Sequence, residues 1–353
     1  MKKKVLIVST VSRQFYLFEK GNIGVLKSLG YEIHCAAHLD MNDRLKSMEL
    51  ICHHIPFRRN PLNTMNVVAF AKLFRLVKRE GFDMVHSHSP VGGVLGRLAA
   101  FLNGVPRNFY TAHGFHFYRG SSWFSWLVYY PVECLLSYIT DVLFVINAED
   151  HKIAQKLKAK KVIRINGIGI NLSRFAQKKP SNGVKSQVNI IMIGEHIERK
   201  NYTLAFEACR LLSLDYNLVI CGKGDLFEAN KMKASAMGLA NKVSFLGYRD
   251  NIPELLFAAD IFLATSIQEG LPVSIMEAMA VGLPFVSTNI RGHIDLASHG
   301  GGILKNDAEE IASAIELIVN DIEKYNEMSR INQSVIKNYS IEKLKLMMSE
   351  VYR

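Results

Sequence analysis

The sequence predicts an α/β protein made of two doubly wound units, and three observations carry that prediction. Short β-branched runs alternate with longer amphipathic segments, the alternation begins afresh after a polar break, and 353 residues exceed what one hydrophobic core organises. The first strand is read at KVLIVS (4–9). The preceding MKKK mimics a secretory leader, but the apolar stretch is only about seven residues long and Arg13 and Gln14 follow it, so a strand fits better. Further runs follow at YEIHCAA (31–37), DMVHS (83–87), RNFYTA (107–112), DVLFVI (141–146) and KVIRI (161–165). Between them, NVVAFAKLFRLVKRE (66–80) has apolar residues at helical spacing. Strand and helix in alternation imply a parallel sheet covered on both faces.

The second half repeats this pattern with VNIIMI (188–193), NLVIC (217–221), VSFLG (243–247), IFLAT (261–265) and PFVST (284–288). Residues 166–187, NGIGINLSRFAQKKPSNGVKSQ, are polar and aperiodic and are expected to be the linker. The domains are accordingly placed at 1–170 and 171–338, with 339–353 a closing amphipathic helix that could pack back on the first domain. Sheets of this kind bind ligands beyond the carboxyl ends of their strands. A cleft between two facing domains is thus the expected active site.

Composition narrows the function. No apolar run reaches 18 residues, so no membrane-spanning helix is expected, and with no leader the chain is assigned to the cytoplasm. Cys35, Cys52, Cys134, Cys209 and Cys221 lack CxxC spacing, which excludes a disulfide framework and a structural zinc site. The net charge of +11 is uneven: residues 1–170 hold 23 Lys and Arg against 11 Asp and Glu, and the remainder 20 against 21. A basic first half suits an anionic partner.

The stretch EGLPVSIME (269–277) carries the most chemical information. Pro272 suits the first position of a helix that runs through VSIMEAMAV to Gly282. Free backbone N–H groups near Gly270, Leu271, Val273 and Ser274 would make a positive helix end that attracts an oxygen-rich anion. Glu269 and Glu277 flank that end and can accept hydrogen bonds from neutral hydroxyls. A nucleoside diphosphate bearing a sugar has both parts.

The segment GYRDNIPELLFAADIFLATSIQEGLPVSIMEAMAVGLPFVSTNIRG resembles the signature region of the family 4 retaining glycosyltransferases, with Glu, seven residues and Glu matched at Glu269 and Glu277. DMVHSHS (83–89), TAHGFHFY (111–118), NGIGINLSRF (166–175), the Lys of ERKN (198–201) and the glycines of CGKGD (221–225) fall in the order that family has. TAHGFHFYRG in particular is similar to enzymes of bacterial capsule, exopolysaccharide and lipid-linked glycan assembly. The resemblance implies a GT-B fold of two Rossmann-like domains facing across a cleft. It implies that Glu277 binds the ribose, that Glu269 contacts the transferred sugar, and that Lys200 lies beside the diphosphate. His113 is implied near the donor sugar or its phosphate. The sequence departs from the family in two places. Gly194-Glu195 stands where Gly-Arg is usual, leaving Arg199, Arg291 or Arg119 to replace that cation, and Gly169 stands where many members have Asp.

Other residues fit the same scheme. Lys200 precedes the helical pattern NYTLAFEACRLL, at a turn from which an ammonium reaches phosphate. Gly222 and Gly224 follow a strand and permit close approach of backbone to ligand, without the third glycine of a dinucleotide fingerprint. His113 follows the strand RNFYTA and should emerge at the carboxyl edge of the first sheet. His86 and His88 are read as a strand end rather than as metal ligands, with His88 directed to the cleft if His86 is buried. Residues 115–136 hold both tryptophans and suit a membrane interface beside basic side chains.

The resulting expectation is transfer of a sugar from a UDP-sugar to a polyprenyl-diphosphate-linked sugar or oligosaccharide at the inner face of the cell membrane. No metal and no cofactor are expected, because no DxD-type pair ends a strand. Retention follows from the resemblance, by front-face attack without a protein general base. A UDP-sugar epimerase of the same fold and a nucleic-acid binder using the basic half are the alternatives. Against the latter, the basic residues are scattered and no nucleic-acid motif is present.

Overall fold

The structure, a computed structural model, describes residues 2–180 and 186–353. Residues 181–185 of the expected linker lie outside the described residues. The chain forms two compact units, one of residues 1–169 with 341–353 and the other of residues 170–340.

In the first unit, continuous apolar runs become strands because helices cover both faces of the sheet. The strands are β1 (Lys4–Val11), β2 (Glu32–His38), β3 (Ile51–His54), β4 (Met84–His88), β5 (Arg107–Ala112), β6 (Val142–Val145) and β7 (Lys161–Arg164). They pair in parallel in the order β3-β2-β1-β4-β5-β6-β7. Val5, Leu6, Ile7 and Val8 of β1 are all buried, as the unbroken run requires. The helix Met65–Glu80 turns Ala69, Leu73, Leu76 and Val77 onto Leu6, Val8 and Val85. Strand β3 was not expected. It is a four-residue, half-exposed edge strand whose two histidines break the apolar pattern.

The second unit contains β8 (Val188–Ile193), β9 (Tyr216–Cys221), β10 (Val243–Gly247), β11 (Ile261–Ala264), β12 (Phe285–Ser287) and β13 (Gly302–Leu304). Their parallel order is β10-β9-β8-β11-β12-β13. Three-residue β13 was also not expected, being too short to show a period. In both sheets the order reverses beside the first strand of the unit, between β1 and β4 and between β8 and β11. This is the switch point at which loops diverge and leave a crevice.

The closing helix, Ile341–Tyr352, packs on the first unit. Tyr352 is fully buried and its hydroxyl lies 2.8 Å from Nδ1 of His86. Arg107 donates to the carbonyls of Tyr352 and Val351 at 2.8 and 2.6 Å. Gly169 has φ of +76°, and a Cβ there would stand 2.7 Å from Cα of Ile341. The departure from Asp at this position is therefore one of backbone geometry.

The helix Trp123–Ser137 is pinned from inside by Arg97, whose guanidinium donates to both oxygens of Glu133 at 2.8 and 2.9 Å and lies 3.9 Å over the ring of Tyr110. Its outer face leaves Trp123, Phe124, Leu127 and Leu135 exposed, whereas Phe115 and Phe117 of the same aromatic segment belong to the core. Arg97 is fully buried. Arg97→Ala strands the Glu133 charge and is expected to cost about 3–5 kcal/mol in urea denaturation, whereas a surface pair would cost less than about 1 kcal/mol.

Candidate functional site

In the second unit, the two loops flanking the switch point build a charged cluster. After β8 the chain turns at Gly194, passes a 3₁₀ turn at Glu198–Lys200 and enters the helix Tyr202–Arg210 through Asn201, which is left-handed with φ of 48°. Lys200 lies back along Gly194, where a Cβ would approach its Cε to 2.9 Å. At Gly222 a Cβ would come within 1.8 Å of the Gly194 carbonyl oxygen, so the ends of β8 and β9 close together only as glycines.

After β11, Thr265 donates its hydroxyl to the carbonyls of Lys200 and Asn201 at 3.1 and 2.9 Å. Glu269 then enters between two cations, with Lys200 Nζ 2.8 Å from Oε1 and Arg199 Nη1 2.9 Å from Oε2. Ser266 donates to the same carboxylate at 3.2 Å. Burial alone would raise the carboxyl, but Lys200 and Arg199 outweigh it and hold it below the usual carboxylate range. Two positive charges against one negative leave the cluster net positive.

The helix Val273–Val281 starts at this cluster and ends at Gly282, with φ of 82°. Pro272 is the residue before the helix, not its first turn as expected, because its ψ of 116° is extended. The first amides of the helix have no intrahelical acceptor. Lys200, Thr265, Ser266, Pro272, Ser274 and His293 line a small recess beside that end. At Gly292 a Cβ would meet the Gly270 carbonyl oxygen at 2.4 Å, and Arg291 Nε donates to the Glu269 carbonyl at 3.2 Å, so this loop is held from behind. Leu271 is buried and Val273 half-buried.

Sequence reasoning missed His293, whose surroundings show no pattern. Its Nδ1–H donates to the Thr288 carbonyl at 2.9 Å, and burial lowers the ring to about 4, so it is neutral with Nε2 bare. Glu277, further along the helix, is not among the residues lining the recess. Burial raises its carboxyl to about 7, with Arg174 opposing. Of the three arginines considered for the missing cation, Arg199 is the one shown pairing with the Glu269 carboxylate, beside Lys200, whereas Arg291 donates to the Glu269 backbone carbonyl. Arg119 belongs to the first unit, where its backbone N–H donates to Glu149.

The first unit has its own cluster at its switch point. His86 and His88 are both buried, with rings 4.3 Å apart. The expected opposition between them fails because residues two apart in a strand share a face. His88 meets His113, just past β5, and Glu19, which sequence reasoning missed for want of any motif. Among the described residues, the donor atoms of Glu19, His88 and His113 form a His-carboxylate group lying within 4.8 Å of one another. N–H groups of Gln14 and Asn22 already point into it.

Comparison with known proteins places this arrangement. The family described as Glycosyl transferases group 1 matches residues 173–335, and the one described as Glycosyl transferase 4-like matches residues 4–147. EpsD of Bacillus subtilis (strain 168) is 32% identical over 375 residues, covering 100% of this chain and 97% of its own. The chain is a group 1 glycosyltransferase. This glycosyltransferase is also 30% identical, over 80% of its length and 77% of the other's, to the Escherichia coli UDP-Gal:alpha-D-GlcNAc-diphosphoundecaprenol alpha-1,3-galactosyltransferase. Its two Rossmann-like units make the GT-B fold. The Anabaena protein Alr3699/HepE, solved with UDP and glucose, superposes with a TM-score of 0.80 at 18% identity, over 99% of each chain.

The raised Glu277 carboxyl sets a pH dependence that needs no ligand. The folded state holds this proton up to about pH 7, while the unfolded chain releases it near 4.5, so the stabilisation is full below 4.5 and is lost as pH rises to 7. Glu277→Gln removes the linkage. Its stability relative to wild type should climb across pH 4.5–7, read from parallel urea titrations.

Proposed function

We propose that this glycosyltransferase moves a sugar from a UDP-sugar to a polyprenyl-diphosphate-linked sugar or oligosaccharide in bacterial surface polysaccharide or glycan assembly. The observation that carries this reading is the net positive cluster of Arg199, Lys200 and Glu269 beside an open helix N-terminus. A diphosphate supplies the anion that such a site favours. The E. coli relative is named for a UDP-galactose donor and a diphosphoundecaprenol-linked acceptor, and the Campylobacter jejuni relative, 26% identical, for a diphospho-undecaprenol-linked one.

In this mechanism the helix end with Ser274 and the Lys200 ammonium stabilise the charge that grows on the leaving diphosphate. Glu277 accepts from the ribose hydroxyls, and Glu269 from the transferred sugar, while Arg199 supplies the charge missing at Glu195. Gly194, Gly222, Gly270, Leu271 and Val273 form the backbone against which the nucleotide lies. The leaving phosphate oxygen takes the acceptor proton on the same face, giving retention, and no metal is required. His113 orients a hydroxyl or phosphate oxygen. Lys200→Ala is expected to lower kcat by about two orders of magnitude while changing UDP affinity less, as for loss of one charge-stabilising group. Unchanged turnover would exclude this site, and loss of activity in excess EDTA would exclude the metal-free reaction. Because the ionised carboxylate can accept from both ribose hydroxyls while the protonated one gives up an acceptor to its own O–H, uridine affinity should rise by up to about tenfold from pH 6 to 8, and the rise should vanish in Glu277→Gln.

No described helix is long and apolar enough to cross a membrane. The exposed Trp123, Phe124, Leu127 and Leu135 instead suit a surface that rests among lipid headgroups at the cytoplasmic membrane, with the basic first half facing anionic lipid. Flotation with vesicles containing phosphatidylglycerol should carry the wild-type protein. The Trp123→Ser, Phe124→Ser double variant should stay behind, and equal flotation of the two would remove this face from the account.

A further inference from the structure

We infer that Glu19 and Gln14 are positioning residues that fix the tautomer of His113, presenting its Nδ1–H outward as a preset donor to a substrate oxygen. Only the identity of that oxygen rests on the proposed transfer reaction. Glu19 lies between the helices Arg13–Phe18 and Lys20–Ser28 and is 1% exposed. No Lys or Arg is paired with it among the described residues. Its oxygens are met by nitrogen: Gln14 Nε2 at 3.0 Å and His88 Nδ1 at 3.2 Å on Oε1, and Asn22 Nδ2 at 2.7 Å on Oε2, while Nε2 of His113 stands 3.8 Å from Oε1, beyond hydrogen-bond reach. Burial holds this carboxyl above the usual range, against the partial opposition of His113, Asn22 and Gln14.

The amide nitrogens of Gln14 and Asn22 can only donate, and Oε1 faces both Gln14 and His88, so the contacts themselves make Glu19 the acceptor and each of these nitrogens presents a proton to it. Glu19 therefore decides which way the Gln14 amide faces, with its nitrogen inward. That same nitrogen lies 3.0 Å from Nε2 of His113. An amide N–H can be opposed only by a bare lone pair, so Nε2 of His113 carries no proton, and the neutral ring holds its proton on Nδ1. His88 agrees. Its Nδ1–H faces Glu19 and also lies 3.1 Å from Nε2 of His113, which leaves Nε2 of His88 bare and buried without a partner. A lone pair is the less costly of the two states to bury in this way. Burial lowers both histidines, which keeps the rings neutral, with Glu19 opposing at His113. On the other side of the His113 ring, Nδ1 has no partner among the described residues, and the side chain is 27% exposed.

Glu19 thus acts on substrate through two intermediaries, and its removal should change a tautomer before it changes a fold. The test is two-bond proton–nitrogen correlation NMR on the full chain labelled with ¹⁵N-histidine, with His113 assigned by its loss in His113→Asn. Wild type should show Nδ1–H. Glu19→Gln frees the Gln14 amide to turn, and Gln14→Glu sets a carboxylate against Nε2. Both should move the His113 proton to Nε2 and lower kcat/KM about tenfold, as for one lost hydrogen bond, with UDP affinity unchanged. His113→Asn, whose amide nitrogen occupies the Nδ1 position, should retain more activity than His113→Gln. A wild-type Nε2–H, or the same tautomer in both variants, overturns the inference. So does a stoichiometric transition-metal ion in purified protein that is lost in Glu19→Gln, because the nitrogens would then be ligands. If Glu19→Gln does not fold, Gln14→Glu decides alone. The tautomer is read without turnover, so failure here is distinguishable from failure of the transfer reaction.

Discussion

The second unit's site depends on the placement of one carboxylate between two cations. Arg199 and Lys200 are adjacent in sequence and would repel if left alone on their short turn. Glu269 reaches them because β8 and β11 are neighbours at the switch point, and the Thr265 hydroxyl ties the two loops by bonding the carbonyls of Lys200 and Asn201. The carboxylate aligns both cations while cancelling only one charge, and the remainder is directed at the start of the Val273–Val281 helix. Glycines at 194, 222 and 292 supply the clearance without which these loops could not approach.

The first unit uses the same switch point in the opposite electrostatic sense. There a buried carboxylate has no cation beside it and is satisfied by neutral N–H donors instead. Such a site cannot attract a diphosphate by charge. It can hold imidazole rings in one orientation, because each N–H that Glu19 takes removes a choice from the next group in the chain. The two units therefore present different chemistry from one topology: in the second, a net positive cluster of fixed charges, and in the first, a set of ordered N–H dipoles around a buried carboxylate.

Much of this was legible in the sequence. Eleven of the thirteen strands among the described residues lie on apolar runs that parallel packing makes conspicuous, and the two that do not, β3 and β13, are an edge strand and a three-residue strand. Lys200 and Glu269 could be found because each sits at the junction of a strand pattern and a helix pattern. Glu19, Gln14 and His293 could not. Glu19 and Gln14 meet each other locally but find His88 and His113 69 and 99 residues away, and His293 finds its partner in a turn with no periodicity; a partner across a switch point leaves no mark on local spacing. The relation of His86 to His88 was misread because the two-residue repeat of a strand puts both on one face.

The buried Tyr352 has a consequence for biosynthesis. Its hydroxyl completes the hydrogen bonding of His86 in the central strand β4, and the carbonyls near it hold Arg107 of β5. The helix Ile341–Tyr352 thus reaches back, across the whole second unit in sequence, to the middle of the sheet made first. In a nascent chain the segment that completes the amino-terminal sheet is made only after the whole of the unit of residues 170–340, so that sheet lacks a piece of its interior until then. A truncation that removes Ile341–Tyr352 would accordingly damage the sheet that was translated first.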